Sequence, residues 1–541
     1  MIRLNNIKLP IKHDKDDVLK KTVSILGTDR IDIHRIVRRS LDSRKKQDIH
    51  YVYSVDIKVS PDVSEESILK RCRKDASLIN PVNYSFPYKD VKGKMNYRPV
   101  IIGAGPAGYF AALKLAEAGA EPLVIERGSD VEKRKNDIER FWNGGKLLQN
   151  SNVSFGEGGA GTFSDGKLNT GNKDKDGIIK DVLMTFHKYG ADEAITYDAK
   201  PHIGTDVLIN VMKNMRERIL SLGGEIRFDT LMESISERNS ADRPLYDLHL
   251  RYASGEESVV TTDAVILAIG HSARDTFKML YDSGFTMERK PFAVGLRIEH
   301  KRETIDRGQY GEDSMNLLPA ADYKMTYHAE NGRNVFSFCM CPGGYVVDAS
   351  TEDGGKTVNG MSYSARDAVN SNSAIVVNVM PSDFGPGNEL AGIEFQRELE
   401  RRFYDAGEGS IPVQRYGDFK EGKKTEKLGT VIPNIKGKYR LSELKSCLPT
   451  YVGNAIIEGV DFFGSKLAGF SDEDAILSGI ESRTSSPVRI LRDNEHMSVK
   501  KGIFPAGEGA GYAGGITSSA VDGIRCAESL MKYIIGDTNE Q

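Results

Sequence analysis

At 541 residues the chain is longer than one hydrophobic core can organise, so two or three domains are expected. Hydrophobic residues at 39% and charged residues at 28% describe an ordinary globular composition, and no segment approaches the roughly 18 apolar residues of a membrane span. The net charge of −3 conceals an asymmetry, because residues 1–98 hold 22 Lys+Arg against 13 Asp+Glu, a surplus of +9 that leaves −12 for the remainder.

Residues 1–96 read as a small basic α/β module, with strands at 2–11 and 50–59 and helices at 16–26 and 64–76. Its charge suits either an anionic partner such as nucleic acid or docking against the acidic remainder. No aromatic RNA-binding signature accompanies the charge, so docking is the preferred reading and nucleic acid is disfavoured. The opening MIRLNNIKLPIKHDKDD lacks the apolar run of a signal peptide, and five cysteines argue against a disulfide scaffold, so the cytoplasm is the expected compartment. INPVNYSFPYKDVKGKMNYRP, with three prolines, reads as a linker.

Residues 97–290 begin a dinucleotide-binding domain. PVIIGAGPAGYFAALKLAEAGAEPLVIERG (99–128) is a buried strand, a glycine-rich turn, a helix and a second strand ending on an acidic residue. Gly103 supplies the turn, Gly105 admits a pyrophosphate to the backbone and Gly108 lets the helix pack on the strand. Pro106 and Ala107 open the helix, whose free N–H groups and dipole favour phosphate. Glu126, followed by Arg127, stands where a carboxylate accepts both ribose hydroxyls of an adenosine. GEGGAGTFSDGKL (156–168) offers Gly159, Ala160, Gly161, Thr162, Ser164 and Lys167 as further cofactor contacts. A helix is expected at 206–222, followed by the strand EIRFDTLMESI. TDAVILAIGH then ends beside the dinucleotide at Gly270 and His271. No second complete glycine fingerprint occurs, so no separately folded NAD(P)H domain is expected.

Residues 291–498 read as an inserted mixed α+β substrate or cap domain, with strands in FAVGLRI, VFSFCM and AIVVNVM. The charged helix at 391–405 reads as surface packing. Four residues are weak catalytic candidates. Cys339 and Cys341 flank Met340 and would share a strand face near the upper limit of disulfide reach. They are either a redox dithiol or two buried structural thiols, and the unusual spacing favours the structural reading. Arg297 and Glu299 share a face and can pair with each other, and His300 is either an acid–base group or, preferably, a satisfied structural histidine. Neither a hydrolytic triad nor a metal-ligand spacing emerges, so no metal is expected.

Residues 499–541 return to the first domain. KGIFPAGEGAGYAGGITSSAVDGIRCAESL (501–530) reads as strand, turn and helix, with Gly507, Glu508, Gly514, Gly515 and Ile516 as cofactor contacts. Two such segments, almost four hundred residues apart, fit one large cofactor, FAD. In FAD-binding folds of this type the late turn reaches the ribityl chain and the helix N-terminus faces the flavin. Glu508 stands where most have aspartate, which implies a longer or water-mediated contact.

IERGSDVEKRKNDIERFWNGGKLLQNSNVSFGEGGAGTFSDGKLNTG (125–171), together with PFAVGLRIEH, FCMCPGGYVV, NGMSYSARDAVNSNSAIVV and GEGAGYAGGI, resembles a bacterial family of uncharacterised FAD-dependent, NAD(FAD)-utilising dehydrogenases. The resemblance runs from about residue 97 to the C-terminus. It implies FAD in a Rossmann-like domain of glutathione-reductase type, and a hydride passed between flavin and a small-molecule substrate or NAD(P)H. Structural or sensory FAD in a binding module, and a nucleic-acid-associated flavoenzyme, are the alternatives.

Overall fold

The computed structural model describes residues 1–238, 240 and 243–536. The N-terminal module is a four-stranded antiparallel sheet in the order Ile31–Asp42, His50–Val59, Ile2–Pro10, Ala76–Leu78. Helices Lys15–Leu26 and Glu65–Arg71 complete a core of Ile2, Leu4, Ile7, Val18, Leu26 and Ile68. Asp14 starts the first helix by a reciprocal cap with Asp17, and Gly27 ends it at φ 63°. Two strands were not anticipated. Ile31–Asp42 lies at a sheet edge, where Asp32, His34 and Arg38 are exposed, Arg35 and Arg39 are half-buried, and the apolar alternation is blurred. Ala76–Leu78 takes the place of the expected end of the second helix, which stops at Arg71.

The presumed linker is a packed segment. Tyr84, Phe86, Tyr88 and Val91 lie against the main helical core, and Tyr84 Oη donates to Glu528 at 2.6 Å. Aromatic side chains among the prolines give this stretch apolar area to bury, which a proline-and-polar reading overlooks.

Five short parallel strands form the central sheet, in the order Ile503–Pro505, Val265–Leu267, Val100–Ile102, Leu123–Ile125, Glu225–Arg227. Ile101 and Val124 face helices Pro106–Glu117, Thr205–Ser221 and Ile516–Ile535. Val100, Ile102, Leu123 and Ile125 face a three-stranded antiparallel sheet carrying Met232, Ile235 and Leu248. Burial on both faces explains the uninterrupted apolar strands. The last strand completes the sheet only when the chain returns from the insertion.

The insertion is built on a seven-stranded mixed sheet with Asn334–Cys341, Asn370–Val379, Phe292–Lys301 and Ile476–Glu481 side by side. Helix Thr450–Lys466 covers one face. Where the chain leaves and re-enters, Met287–Arg289 pairs antiparallel with Val488–Ile490.

Helix Ala391–Ala406 does more than cover a surface. Ile393, Gln396, Leu399, Glu400 and Phe403 are buried. Glu400 accepts from Arg274 Nη2 at 2.7 Å, Arg483 Nη2 at 2.8 Å and Ser482 Oγ at 2.6 Å, joining the first domain to the insertion.

The basic module rests on both other domains. Arg39 donates to both carboxylate oxygens of Asp198, at 2.6 and 2.8 Å, and its backbone pairs with Tyr197 and Ala199. Ile49 enters the insertion's core.

Candidate functional site: a glycine-walled cavity between the sheet and the insertion

A cavity of about 580 Å³ opens at the carboxyl ends of the parallel strands, where Ile102, Ile125 and Ala268 reach it. This is the usual binding position in doubly wound sheets, and the volume is typical of ligand sites. The first wall is the turn after Val100–Ile102. Gly103 sits at φ 106°, and a Cβ there would strike the Ala268 carbonyl. At Gly105 a Cβ would project into the trough, with Gly159 Cα the nearest atom at 3.8 Å. Backbone alone therefore lines the place where a pyrophosphate approaches. Helix Pro106–Glu117 begins here, and the N-terminus of the 20-residue helix Ile516–Ile535 opens on the same cavity through Gly514, Gly515 and Ile516.

Glu126 is 5% exposed, and its carboxylate accepts from the backbone N–H groups of Ala104 (2.8 Å), Gly128 (2.9 Å) and Gly156 (2.9 Å). A carboxylate has about four acceptor positions, so roughly one remains for a ribose hydroxyl rather than the two expected. Arg127 donates to Asp275 at 2.8 and 2.5 Å and lies 4.4 Å over the Phe155 ring, giving the same end of the cavity a flat wall.

Two buried groups absent from the sequence reading hold the glycine-rich loop in place. Arg134, fully buried on helix Val131–Trp142, donates to the carbonyls of Asn152 (2.9 Å), Val153 (2.9 Å), Gly156 (3.2 Å) and Glu157 (2.6 Å). Glu157 accepts from Tyr109 Oη at 2.5 Å, Val131 N at 2.7 Å and Arg216 Nη1 at 2.7 Å. A signal was available, since Val131, Arg134 and Ile138 share one helical stripe and the arginine interrupts its apolar members.

Most of the expected cofactor contacts line the cavity, from Gly103, Pro106 and Ala107 through Ala160, Gly161, Ser164, Lys167 and Gly270 to Gly507 and Glu508. Gly108 and Thr162 do not. Gly108 serves helix packing, because a Cβ there would strike the Gly103 carbonyl. Thr162 is fully buried and does not line the cavity. Lys167 sends its ammonium to the Met340 carbonyl, tying the loop to the insertion.

The insertion closes the far end with Phe338, Cys339, Glu481 and Arg483. His271 and Glu508 face it from the first domain, with Nδ1 and Oε1 3.8 Å apart. Burial pushes His271 down to about 4 and Glu508 up to about 7.

Of the four weak catalytic candidates only Cys339 lines the cavity. It is partly exposed, which corrects the reading of two buried thiols, whereas Cys341 is buried. Arg297 lies behind the wall and pairs with Glu481 at 3.0 Å and with Asn372 at 2.6 Å, not with Glu299. The neighbouring strand supplies its partner; Glu299 instead accepts from Asn370 Nδ2 at 3.1 Å and Asn434 N at 2.9 Å. His300 is buried outside the cavity and donates from Nε2 to the Phe470 carbonyl at 2.6 Å.

The residues fit FAD. A backbone-only trough, a carboxylate with spare acceptor capacity and two converging helix N-termini answer a pyrophosphate, a ribose and a ring that gains negative charge. Among the described residues, no group of three or more His, Cys, Asp or Glu could hold a metal ion, and no helix is long and apolar enough to cross a membrane.

Fold and cavity thus define an α/β flavoprotein. Residues 291–484 match the family described as FAD-dependent protein, C-terminal domain-like, and residues 1–71 match a domain of unknown function, DUF8436. The chain belongs to the uncharacterised FAD-dependent protein family that its motifs resemble. A member from Clostridium beijerinckii, an uncharacterised protein, is 45% identical over 538 residues, covering 98% of each chain. Among solved structures, Escherichia coli quinol fumarate reductase FrdA aligns over 81% of this chain and 70% of its own at 12% identity and a TM-score of 0.36. A flavoprotein/dehydrogenase from Cytophaga hutchinsonii aligns over 82% and 79% at 10% identity and a TM-score of 0.34.

Proposed function

We propose that the protein is an FAD-dependent oxidoreductase with a flavin domain of glutathione-reductase type, a dehydrogenase that passes a hydride between flavin and an organic substrate or NAD(P)H. The observation that carries this reading is the convergence of two helix N-termini, from opposite ends of the chain, on a glycine-walled cavity closed by the insertion. FAD, when bound, supplies the two-electron chemistry.

The chain's own residues bind, orient and exclude water. The Gly103–Gly105 turn and Gly159 admit the pyrophosphate, and Glu126 holds the ribose. The N-terminus of Ile516–Ile535, open on the cavity, would favour negative charge on a flavin held there. Phe338, Met340 and Arg483 keep bulk water from the reacting end, and Glu508, raised to about 7, can hold or release a proton at its carboxylate near neutral pH. In the basic module Arg3 and Arg35 share Asp56, Arg39 takes Asp198 and Arg44 takes Asp42, which leaves less free positive charge for nucleic acid and favours a small-molecule substrate. Five unpaired cysteines support a reducing, cytoplasmic setting.

The test is anaerobic addition of NADH and NADPH, in parallel, to the purified yellow protein. Bleaching by one identifies the donor, and bleaching by neither removes NAD(P)H and leaves the organic substrate. A protein that cannot be loaded with FAD overturns the reading.

A further inference from the structure

The strand Asn334–Cys341 breaks its regular register in one place. Phe338 pairs with Ala374 and Cys341 with Asn372, so two residues on one side oppose one on the other, and Cys339 sits there at φ 43°. Residues other than glycine rarely adopt that conformation, and such departures gather at functional sites. Two cations hold this bulge. Arg297 Nη1 donates to the Cys339 carbonyl at 3.1 Å, and the Lys167 ammonium donates to the Met340 carbonyl.

The result is a pair of thiols with different surroundings. Cys339 faces the cavity, while Cys341 is buried 3.8 Å from Arg297 Nη1. The Cys341 thiol donates to the Cys339 carbonyl at 3.3 Å, which folds the two residues of the bulge onto each other. A regular strand would hold residues two apart near the limit of disulfide reach, and the register shift between Phe338 and Cys341 shortens that extension. The Cys341 thiol, with Arg297 and Lys167, also holds the Cys339 thiol below the usual range, whereas burial raises Cys341.

We propose that Cys339 and Cys341 are a reversible dithiol–disulfide couple that exchanges two electrons with FAD in the cavity. The proposal rests on the flavin reading above. In the oxidising direction both S–H bonds are lost and one S–S bond forms. Two electrons and one proton pass to FAD, and the second proton goes to the carboxylate of Glu508, which lines the same cavity as Cys339. Reduction of the disulfide by reduced FAD reverses each transfer.

The experiment uses the full chain with its FAD content measured first, so that a failed flavin reading shows itself as missing flavin. Protein oxidised with diamide, with and without FAD, is denatured and alkylated, and the peptide carrying Cys339–Cys341 is weighed. It should be two hydrogens lighter and unalkylated, and should take two alkyl groups after dithiothreitol. Anaerobic dithionite titration should consume four electron equivalents per FAD in the wild type and two in Cys339→Ser, Cys341→Ser or Cys339→Ala, with four retained in Cys447→Ser. Alkylation of both thiols after oxidation overturns the proposal. So does a disulfide that forms while the wild type still takes only two equivalents.

Discussion

Replacing Glu400 by glutamine tests whether the buried ion cluster fastens the insertion over the cavity. The substitution keeps the shape and removes one negative charge from between Arg274 and Arg483, which reach it at 2.7 and 2.8 Å. Glu400 and Arg274 are each 1% exposed and Arg483 8%, so water cannot screen the loss. Breaking a buried pair from one side typically costs about 3–5 kcal/mol, because the partner charge is left uncompensated. Glu352 still contacts Arg274 at 2.8 Å, which places the expected loss near the lower figure, about 3 kcal/mol. Flavin release during urea titration gives the readout, with Glu398→Gln as control. Glu398 pairs with Arg402 on the same helix but is 55% exposed, and such pairs contribute at most about 1 kcal/mol. Arg274 and Arg483 hold the Glu400 carboxyl far below the usual glutamate range against the pull of burial. A depressed native value stabilises fully above the unfolded one and is lost as pH falls toward the native one. The difference between wild type and Glu400→Gln should therefore be full above about pH 5 and shrink in acid. Equal midpoints for Glu400→Gln and Glu398→Gln at pH 7 would refute the argument.

Three further outcomes follow from the same structure. Gly105→Val should abolish FAD retention, read as loss of yellow colour after gel filtration, since its side chain would fill the trough beside Gly159. A truncation lacking residues 1–78 should keep its flavin, whereas one lacking residues 1–96 should lose it or aggregate, because Tyr84, Phe86, Tyr88 and Val91 belong to the main core; flavin-to-protein ratios distinguish the two. Burial raises Glu299 to about 7, so its contribution falls as pH rises from about 4.5 through 7; Glu299→Gln should gain on the wild type over that window by up to about 3 kcal/mol, measured by thermal midpoints at pH 5 and pH 8.

Much of the cofactor site was legible because its determinants are local. Gly103 is fixed by its own positive φ and Gly108 by the collision a Cβ would make with the Gly103 carbonyl five residues earlier, and such constraints write themselves into spacing. Arg134 and Glu400 were missed for the opposite reason. Each lies on a helix with many exposed charges, and its burial is decided by partners from distant segments. What the sequence does retain is position: Arg134 falls between Val131 and Ile138, and Glu400 between Leu399 and Phe403, on the buried faces of their helices. The strand Ile31–Asp42 was hidden because an edge strand need not alternate cleanly. Cys339 was misplaced because strand periodicity assumes regular pairing, and a bulge turns one side chain out of phase.

The order in which the sheet is assembled has a consequence for biogenesis. Val265–Leu267 waits for Ile503–Pro505 as its outer neighbour, and the second helix N-terminus of the cavity lies beyond that. During synthesis the insertion can condense around its own core while the earlier strand still presents an open edge. Such an edge invites pairing with another nascent chain. Ribosomes stalled before Ile503 would thus yield a protein with no working cofactor pocket and one unsatisfied strand, a natural client for chaperones and proteases.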